Sequence, residues 1–476
     1  MTPLDTPASA PRMGFGLGSR LSFMMFLQYA IWGAWLPFLY VFLANDQKFT
    51  GWEIGWMFTA GGIGAIFGPF LAGQVADRWF NTERYLGLSH LAGAVVVFFM
   101  STVDNTPSPV EGEVGTGFWF FLSLSILYSL IYSPTIALTN SLSFHHMPDR
   151  DRDFGRVRLW GTLGWIAVGI GVGQLLYWAF TPADATPSEQ ATAQAAGMVN
   201  AFRISAILGI VMGLYCFTLP RTPPQPGKEK FAFAETLKEV RSSPLVILFL
   251  IAVPISMIHQ FYFIYTGPFL QEYQNAGEGL TKAINSVFGV GGGGLMTIGQ
   301  LMEILVLFLI PFVASKWSRK TLLIIGVAAY AARMFLFSQV DWLSSAIGIP
   351  DMVTLITGVS LHGLCFGCFI FVAFMIVDEE CSGDVKATAQ NLFNLVIVGV
   401  GIVVGSLFST MLVGEWATNI VPDPEGATAD ATKAVMDWTR LFAVPMYMAI
   451  GCLLLMLAFY PGKRDLIGRR SSTMAG

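Results

Sequence analysis

Twelve stretches of this chain are apolar over about 19 residues or more, each long enough as a helix rising 1.5 Å per residue to cross the roughly 30 Å hydrocarbon core of a bilayer. They lie near residues 19–44, 52–76, 85–103, 117–144, 157–179 and 199–219, then 244–270, 290–315, 320–340, 350–377, 387–413 and 439–461. No water-soluble core absorbs that much apolar surface. The chain is 54% hydrophobic and 12% charged, whereas soluble domains carry about a quarter charged residues. The expected fold is an all-α polytopic membrane protein of twelve transmembrane helices in two six-helix pseudo-repeats. Residues 1–18 are expected as a tail and 19–219 as the first six-helix bundle. Residues 220–243, which contain most of "PRTPPQPGKEKFAFAETLKEVRSSP", read as a linker, 244–461 as the second bundle and 462–476 as a second tail.

Basic residues near helix ends are retained on the cytoplasmic side. Arg78 and Arg84, then Arg150, Arg152 and Arg156, then the linker, then Lys316, Arg319 and Lys320, then the closing tail all fall on one side, while the opposite loops hold only Lys48, Lys282 and Lys433. Both termini are therefore expected in the cytoplasm. The opening residues lack a short apolar core with a cleavage site, so the first apolar stretch is expected as a retained span. A net charge of -4 argues against a nucleic-acid partner. Five cysteines lie in or beside apolar stretches and suggest no disulfide framework. "CFGC" (365–368) has metal spacing but no second ligand pair, and "GVGGGG" (289–294) follows no strand, so its glycines read as close packing or a flexible helix start. "GIVVG" (401–405) has the small-residue spacing that lets two helices approach. No nucleophile, base and orienter stand at workable spacing, so no enzyme, metal or cofactor is expected.

The halves echo one another. Gln28 precedes "PFL" at 37–39 as Gln260 precedes "PFL" at 268–270, "PFLAG" (69–73) parallels "PFVAS" (311–315), and Arg203 parallels Arg440. All these offsets fall between 231 and 242 residues. A duplicated six-helix unit is the architecture of a rocking transporter whose site lies between the halves near mid-membrane.

Polar residues inside spans then become candidates for that site. Arg158, Thr162 and Trp165 stand at i, i+4 and i+7 in "RLWGTLGW"; Gln300 and Glu303 stand at i and i+3, and His362 and Phe366 at i and i+4. Gln260 sits among aromatics. Together they suit a flat, polar, uncharged ligand with several hydroxyls, held by amides, a carboxylate, a guanidinium and ring faces. Plainer roles stay open for most. Arg158 also obeys the positive-inside rule, Trp165 and Phe366 could be ordinary packing, His259 and His362 could be satisfied core histidines, and Gln28, Gln260 and Gln300 could tie helices together. Glu303 has no such alternative. In "GQLMEILVLFLIPF" no cap, helix end or neighbouring charge accounts for a carboxylate, which costs several kcal/mol in hydrocarbon unless paired, wetted or protonated.

"GQVADRW" (73–79) resembles the loop motif of the major facilitator superfamily, and "LQYAIWGAWLP", "GIGAIFGPFLAGQVADRW", "RLWGTLGW", "GQLMEI", "ARMFLF" and "KATAQNLF" resemble the nucleoside:proton symporter family within it. The first resemblance implies a major facilitator fold with a conformational latch at Gly73, Asp77 and Arg78. The second implies import of nucleosides with protons by alternating access across the bacterial inner membrane, most simply by a monomer in the bilayer. It places Arg158, Thr162, Trp165, Gln260, Gln300, Glu303, His362 and Phe366 around the nucleoside, with Glu303 carrying the proton. Two positions depart from the family pattern. Gly367 stands where an aspartate is usual and Phe263 where an asparagine is usual. These leave open a carrier for another polar solute, such as a sugar or sugar-containing metabolite, or an uncoupled facilitator.

Overall fold

The computed structural model describes residues 12–110, 112–223, 240–241, 244–314, 316–381, 385–422 and 432–462, with the side chains of 69–79, 151 and 387 outside the description. Twelve membrane-length helices run through these residues. They are α1 (Phe15–Asp46), α2 (Gly51–Trp79), α3 (Thr82–Met100), α4 (Phe118–His146), α5 (Arg150–Ala179) and α6 (Pro187–Cys216), then α7 (Leu245–Ala276), α8 (Gly293–Ala314), α9 (Arg319–Ser338), α10 (Asp351–Glu380), α11 (Thr388–Gly414) and α12 (Trp438–Phe459). Ten of them pass a length-and-hydropathy test for membrane spans among the described residues, and α2 and α3 complete the set. The proposed latch residues Gly73, Asp77 and Arg78 fall in the last turns of α2, where side chains lie outside the described residues. Most of the linker and both tails beyond residues 12 and 462 also lie outside them.

Local chemistry sets the ends. Thr50 and Glu53 form a capping box that starts α2, and Thr186 and Glu189 form another that starts α6 with Pro187 in its first turn. The second box explains why α6 begins at Pro187 and not near 199: its first turns, "PSEQATAQAAG", are too polar for an apolar scan to see. Asp437 caps α12 by accepting from the Arg440 N–H. Two elements carry no sequence expectation. A nine-residue helix, Leu280–Phe288, precedes α8, and an antiparallel hairpin pairs β1 (Thr418–Pro422) with β2 (Thr432–Met436) between α11 and α12. π-helical turns interrupt α10 at Cys365–Phe371 and α11 at Leu395–Val400, and another ends α11 at Phe408–Gly414. Such turns recur at functional sites.

Within the first six helices α1 packs on α5 and α6, α2 on α4, and α3 on α4 and α6; within the second six α7 packs on α11 and α12, and α9 on α10 and α12. The halves meet where α2 lies against α11 and α5 against α8, and where the end of α1 reaches α7. "GVGGGG" builds part of this seam. Gly289, Gly291 and Gly292 have φ of 75°, 80° and 76°, and a Cβ on Gly292 would sit 2.1 Å from the Gly267 carbonyl oxygen of α7. A Cβ on Gly289 would meet the Gly173 backbone of α5 at 2.0 Å. The run is therefore a tight turn wedged between two helices.

At the end of the molecule away from the termini, hydrogen bonds cross between the halves. The Gln194 amide donates to Asn275 Oδ1 at 2.9 Å and accepts from Gln271 Nε2 at 2.8 Å, Gln174 donates to the Ser286 carbonyl at 2.9 Å, and the Val290 N–H donates to the Gly173 carbonyl at 3.1 Å. At the end bearing the termini, the described ion pairs Arg319–Glu379 (2.6 Å) and Lys386–Asp378 (3.0 Å) stay within one half.

Candidate functional site

The two faces of α8 differ in kind. Leu301, Leu305, Phe308 and Phe312 are exposed along its outer stripe, as a lipid-facing surface should be. Glu303 lies on the other side, with its side chain 15% exposed and Oε2 3.7 Å from Nε2 of His362 on α10. Glycine permits this approach. A Cβ on Gly363 would sit 2.4 Å from the Met302 carbonyl oxygen, and one on Gly299 would sit 2.9 Å from Cβ of His362, so α8 and α10 meet backbone to backbone. The helix carrying Glu303 also lies against α5 of the other half, the helix that carries Arg158.

Behind His362 stands a cation that the polar stripes did not select. Arg333, fully buried in α9, donates from Nη1 to Nδ1 of His362 at 3.1 Å. Its guanidinium lies over the rings of Tyr262 (4.2 Å) and Tyr330 (5.0 Å), and its Nε and Nη2 have no hydrogen-bond partner. Arg333 carried the signal that exposed Glu303: a charge in mid-helix, without a cap or a sequence-local partner. The stripe test passed over it because its neighbour one turn back is Tyr330, which reads in sequence as an aromatic packing residue. His259 completes the cluster through Nδ1, 2.8 Å from the Tyr330 hydroxyl, with its ring stacked 5.5 Å from that of His362.

Across the seam, α5 and α1 form an aromatic shelf. Arg158 places its guanidinium 3.9 Å from the centre of the Tyr29 ring, a cation–π contact that holds it eight residues into α5. Trp165 meets Trp32 edge-on at 5.6 Å, and Gly33 makes room: a Cβ there would sit 2.9 Å from the Trp165 ring. Arg158, Thr162 and Trp165 are all partly exposed along one stripe. Gln28 behaves differently. It is fully buried and bonds His90 at 2.9 Å and Thr135 at 2.8 Å, which makes it a tie inside the first half.

The sequence profile of the family described as Nucleoside H+ symporter matches residues 15–464. The chain belongs to the nucleoside H+ symporter family. The Escherichia coli (strain K12) protein YegT is 32% identical over 394 residues, covering 81% of this chain and 82% of YegT. The xanthosine permease of the same organism is 27% identical over 416 residues, 86% of this chain and 90% of the permease. Among solved structures, that of the nucleoside transporter NupG superposes with a TM-score of 0.73 at 23% identity, covering 94% of this chain and all of that one. The proton-driven D-xylose symporter superposes at 0.64 with 15% identity, covering 94% and 98%. These two likenesses fix the fold as that of a membrane transporter, and family and relatives alike are transporters, not enzymes.

The remaining expected site residues of this symporter separate into two groups. Gln300 is buried on the Glu303 side of α8 with Oε1 unpartnered, and Phe366, partly exposed, stacks 6.5 Å from His362. Gln260 turns away from them, donating from Nε2 to the Ser406 hydroxyl of α11 at 3.2 Å. Gly367, where the family pattern has an aspartate, faces α8 below Glu303: a Cβ there would sit 2.6 Å from Val306 Cγ1. Phe263 packs edge-on against His362 at 6.3 Å.

Proposed function

We propose that this symporter carries nucleosides into the cytoplasm with protons across the bacterial inner membrane, as a monomer with both termini cytoplasmic. Family membership supports the substrate class, and the placement of Glu303 opposite Arg158 across the seam of two six-helix halves supports the mechanism. The ligand lies between them. The unpartnered Gln300 Oε1 and the Glu303 carboxylate are acceptors for hydroxyl or N–H donors. Trp165 and Phe366 supply ring faces, Arg158 and Thr162 supply donors, His362 lines the floor, and Gln260 holds α7 to α11 beside the site.

Glu303 takes a proton and the ligand from outside, which lets the carrier close. It releases both once water or the Arg158 guanidinium reaches it from within. The amide contacts of Gln194, Gln271 and Asn275 close the outer gate in this structure, and Gly73, Asp77 and Arg78 latch the inner one in the alternate state. A proton entering across 100 mV supplies about 2.3 kcal/mol, enough for roughly a 50-fold gradient of a neutral solute. The test is uptake of labelled uridine and xanthosine by proteoliposomes under an imposed proton gradient. Accumulation above equilibrium that a protonophore collapses supports the reading. Mere equilibration overturns the coupling, and failure of nucleosides to enter overturns the substrate.

A further inference from the structure

The buried Arg333–His362 pair carries information about which group moves the proton. We propose that Arg333 holds His362 as the Nε2–H tautomer, so that His362 is a fixed hydrogen-bond donor that positions Glu303 and does not itself carry the transported proton. This rests on the reading of Glu303 as the coupling site.

An arginine side chain only donates. With Nη1 3.1 Å from Nδ1 of His362, the nitrogen at that end of the ring must offer its lone pair, and the ring proton belongs to Nε2. Nε2 is the atom that faces Glu303 Oε2 at 3.7 Å, one small shift from hydrogen-bonding distance. A second proton on the ring would set Nδ1–H against a guanidinium N–H. It would also cost Arg333 its bond to His362, with Nε and Nη2 already unpartnered. Turning the ring over would put a C–H against the guanidinium instead. The ring is also confined: Tyr262 stacks on it at 4.9 Å and Gly299 closes on its Cβ.

The titratable and charged groups around His362 are His259 and Tyr262 on α7, Glu303 on α8, Tyr330 and Arg333 on α9, Cys365 on α10 and Arg158 across the seam. Of the two histidines, His259 bonds a hydroxyl that can donate or accept, so its tautomer is free to change. His362 bonds a group that cannot. The same arrangement answers the departure at Gly367. With no carboxylate at that position, Glu303 is the one carboxylate among the described residues of the cluster, and a neutral histidine orients it.

The test is ¹⁵N spectroscopy of histidine-labelled protein in lipid nanodiscs, with His362→Gln assigning the resonance. The expected spectrum shows Nε2 protonated and Nδ1 bare through pH 5–8, where histidine ordinarily titrates. A doubly protonated ring or a proton on Nδ1 within that range overturns the proposal. Arg333→Met, which fills similar space without a donor, should release His362 to titrate; an unchanged spectrum overturns the proposal. Transport gives an independent reading. Glutamine can donate to Glu303 but cannot carry a proton, so His362→Gln should slow uptake about three- to tenfold, the cost of about 1 kcal/mol for a hydrogen bond made less well by an unconfined amide, and still accumulate nucleoside under a proton gradient. Exchange without accumulation in that variant overturns the proposal. The spectra need no transport, so a failure of the nucleoside reading shows separately, as wild-type protein that takes up no nucleoside.

Discussion

The same three helices of each six-helix unit carry a buried polar cluster, and the two clusters are built oppositely. In the first half, on α1, α3 and α4, Gln28 bonds His90 and Thr135 through its side chain and receives the Tyr132 hydroxyl on its carbonyl. A cavity of about 10 Å³ lined by His90, Tyr128 and Ser205 has room for one water. In the second half, on α7, α9 and α10, the corresponding cluster holds Arg333, His259 and His362 with Glu303 beside them, and leaves Arg333 Nε and Nη2, Tyr262 Oη and Gln300 Oε1 unpartnered. A network of uncharged groups that leaves only the Tyr128 hydroxyl, at the cavity, without a protein partner specifies packing, whereas charged groups left short of partners inside a membrane cost stability and persist where they do work. On the proposed reading the duplicated unit has thus divided its labour: in this set of three helices one copy ties helices together, and the other sits beside the acid that titrates, while α5 of the first half still faces the ligand.

Substitutions can break or sharpen that contrast. The largest effect is expected for Gly363→Leu. Its side chain forces α8 from α10, separates Glu303 from His362, and should reduce nucleoside uptake to background while the protein stays monodisperse in detergent. Gln28→Leu strikes the opposite cluster, leaving His90 and Thr135 short of a partner at about 1–3 kcal/mol; melting should come earlier, with nucleoside Kd within about twofold. If Kd collapses while melting does not change, the first cluster is no mere scaffold. Trp165→Ala removes part of the aromatic shelf, and losing about 0.5–1.5 kcal/mol of ring contact should weaken Kd about three- to tenfold by calorimetry. The smallest change is expected for Gln271→Ala in the amide contacts between the halves at the end away from the termini, the proposed outer gate. One neutral hydrogen bond, about 1 kcal/mol, should favour outward-open states about fivefold, seen as faster labelling of a cysteine placed in the outer vestibule.

The spans were legible because apolar length announces them, and all twelve overlap the expected stretches; the misses are at polar ends, where α6 starts at Pro187, α5 starts at Arg150 and α7 runs on to Ala276. The hairpin and the π-helical turns were not, since an acid-rich loop looks alike paired or unpaired and apolar patterning does not encode hydrogen-bond register. Glu303 was legible because its anomaly is local. Its pairing was not: His362 lies 59 residues on, and the glycines at 299, 363 and 367 bring the two helices together. Arg333 had the same local anomaly, but its neighbour one turn back, Tyr330, reads as packing, so it needed the fold to show its partner His362. Gln28 and Gln260 look alike in sequence, each one amide among aromatics, and only packing shows that both tie helices within their own halves.

The most direct test concerns Glu303, the acid set between α10 and the opposite half. Purified Glu303→Gln protein in proteoliposomes should exchange labelled nucleoside with nucleoside across the membrane yet bring no protons with it and build no gradient under a proton-motive force. Wild-type accumulation by the variant, with protons still entering alongside the nucleoside, would contradict the assignment of coupling to this carboxylate.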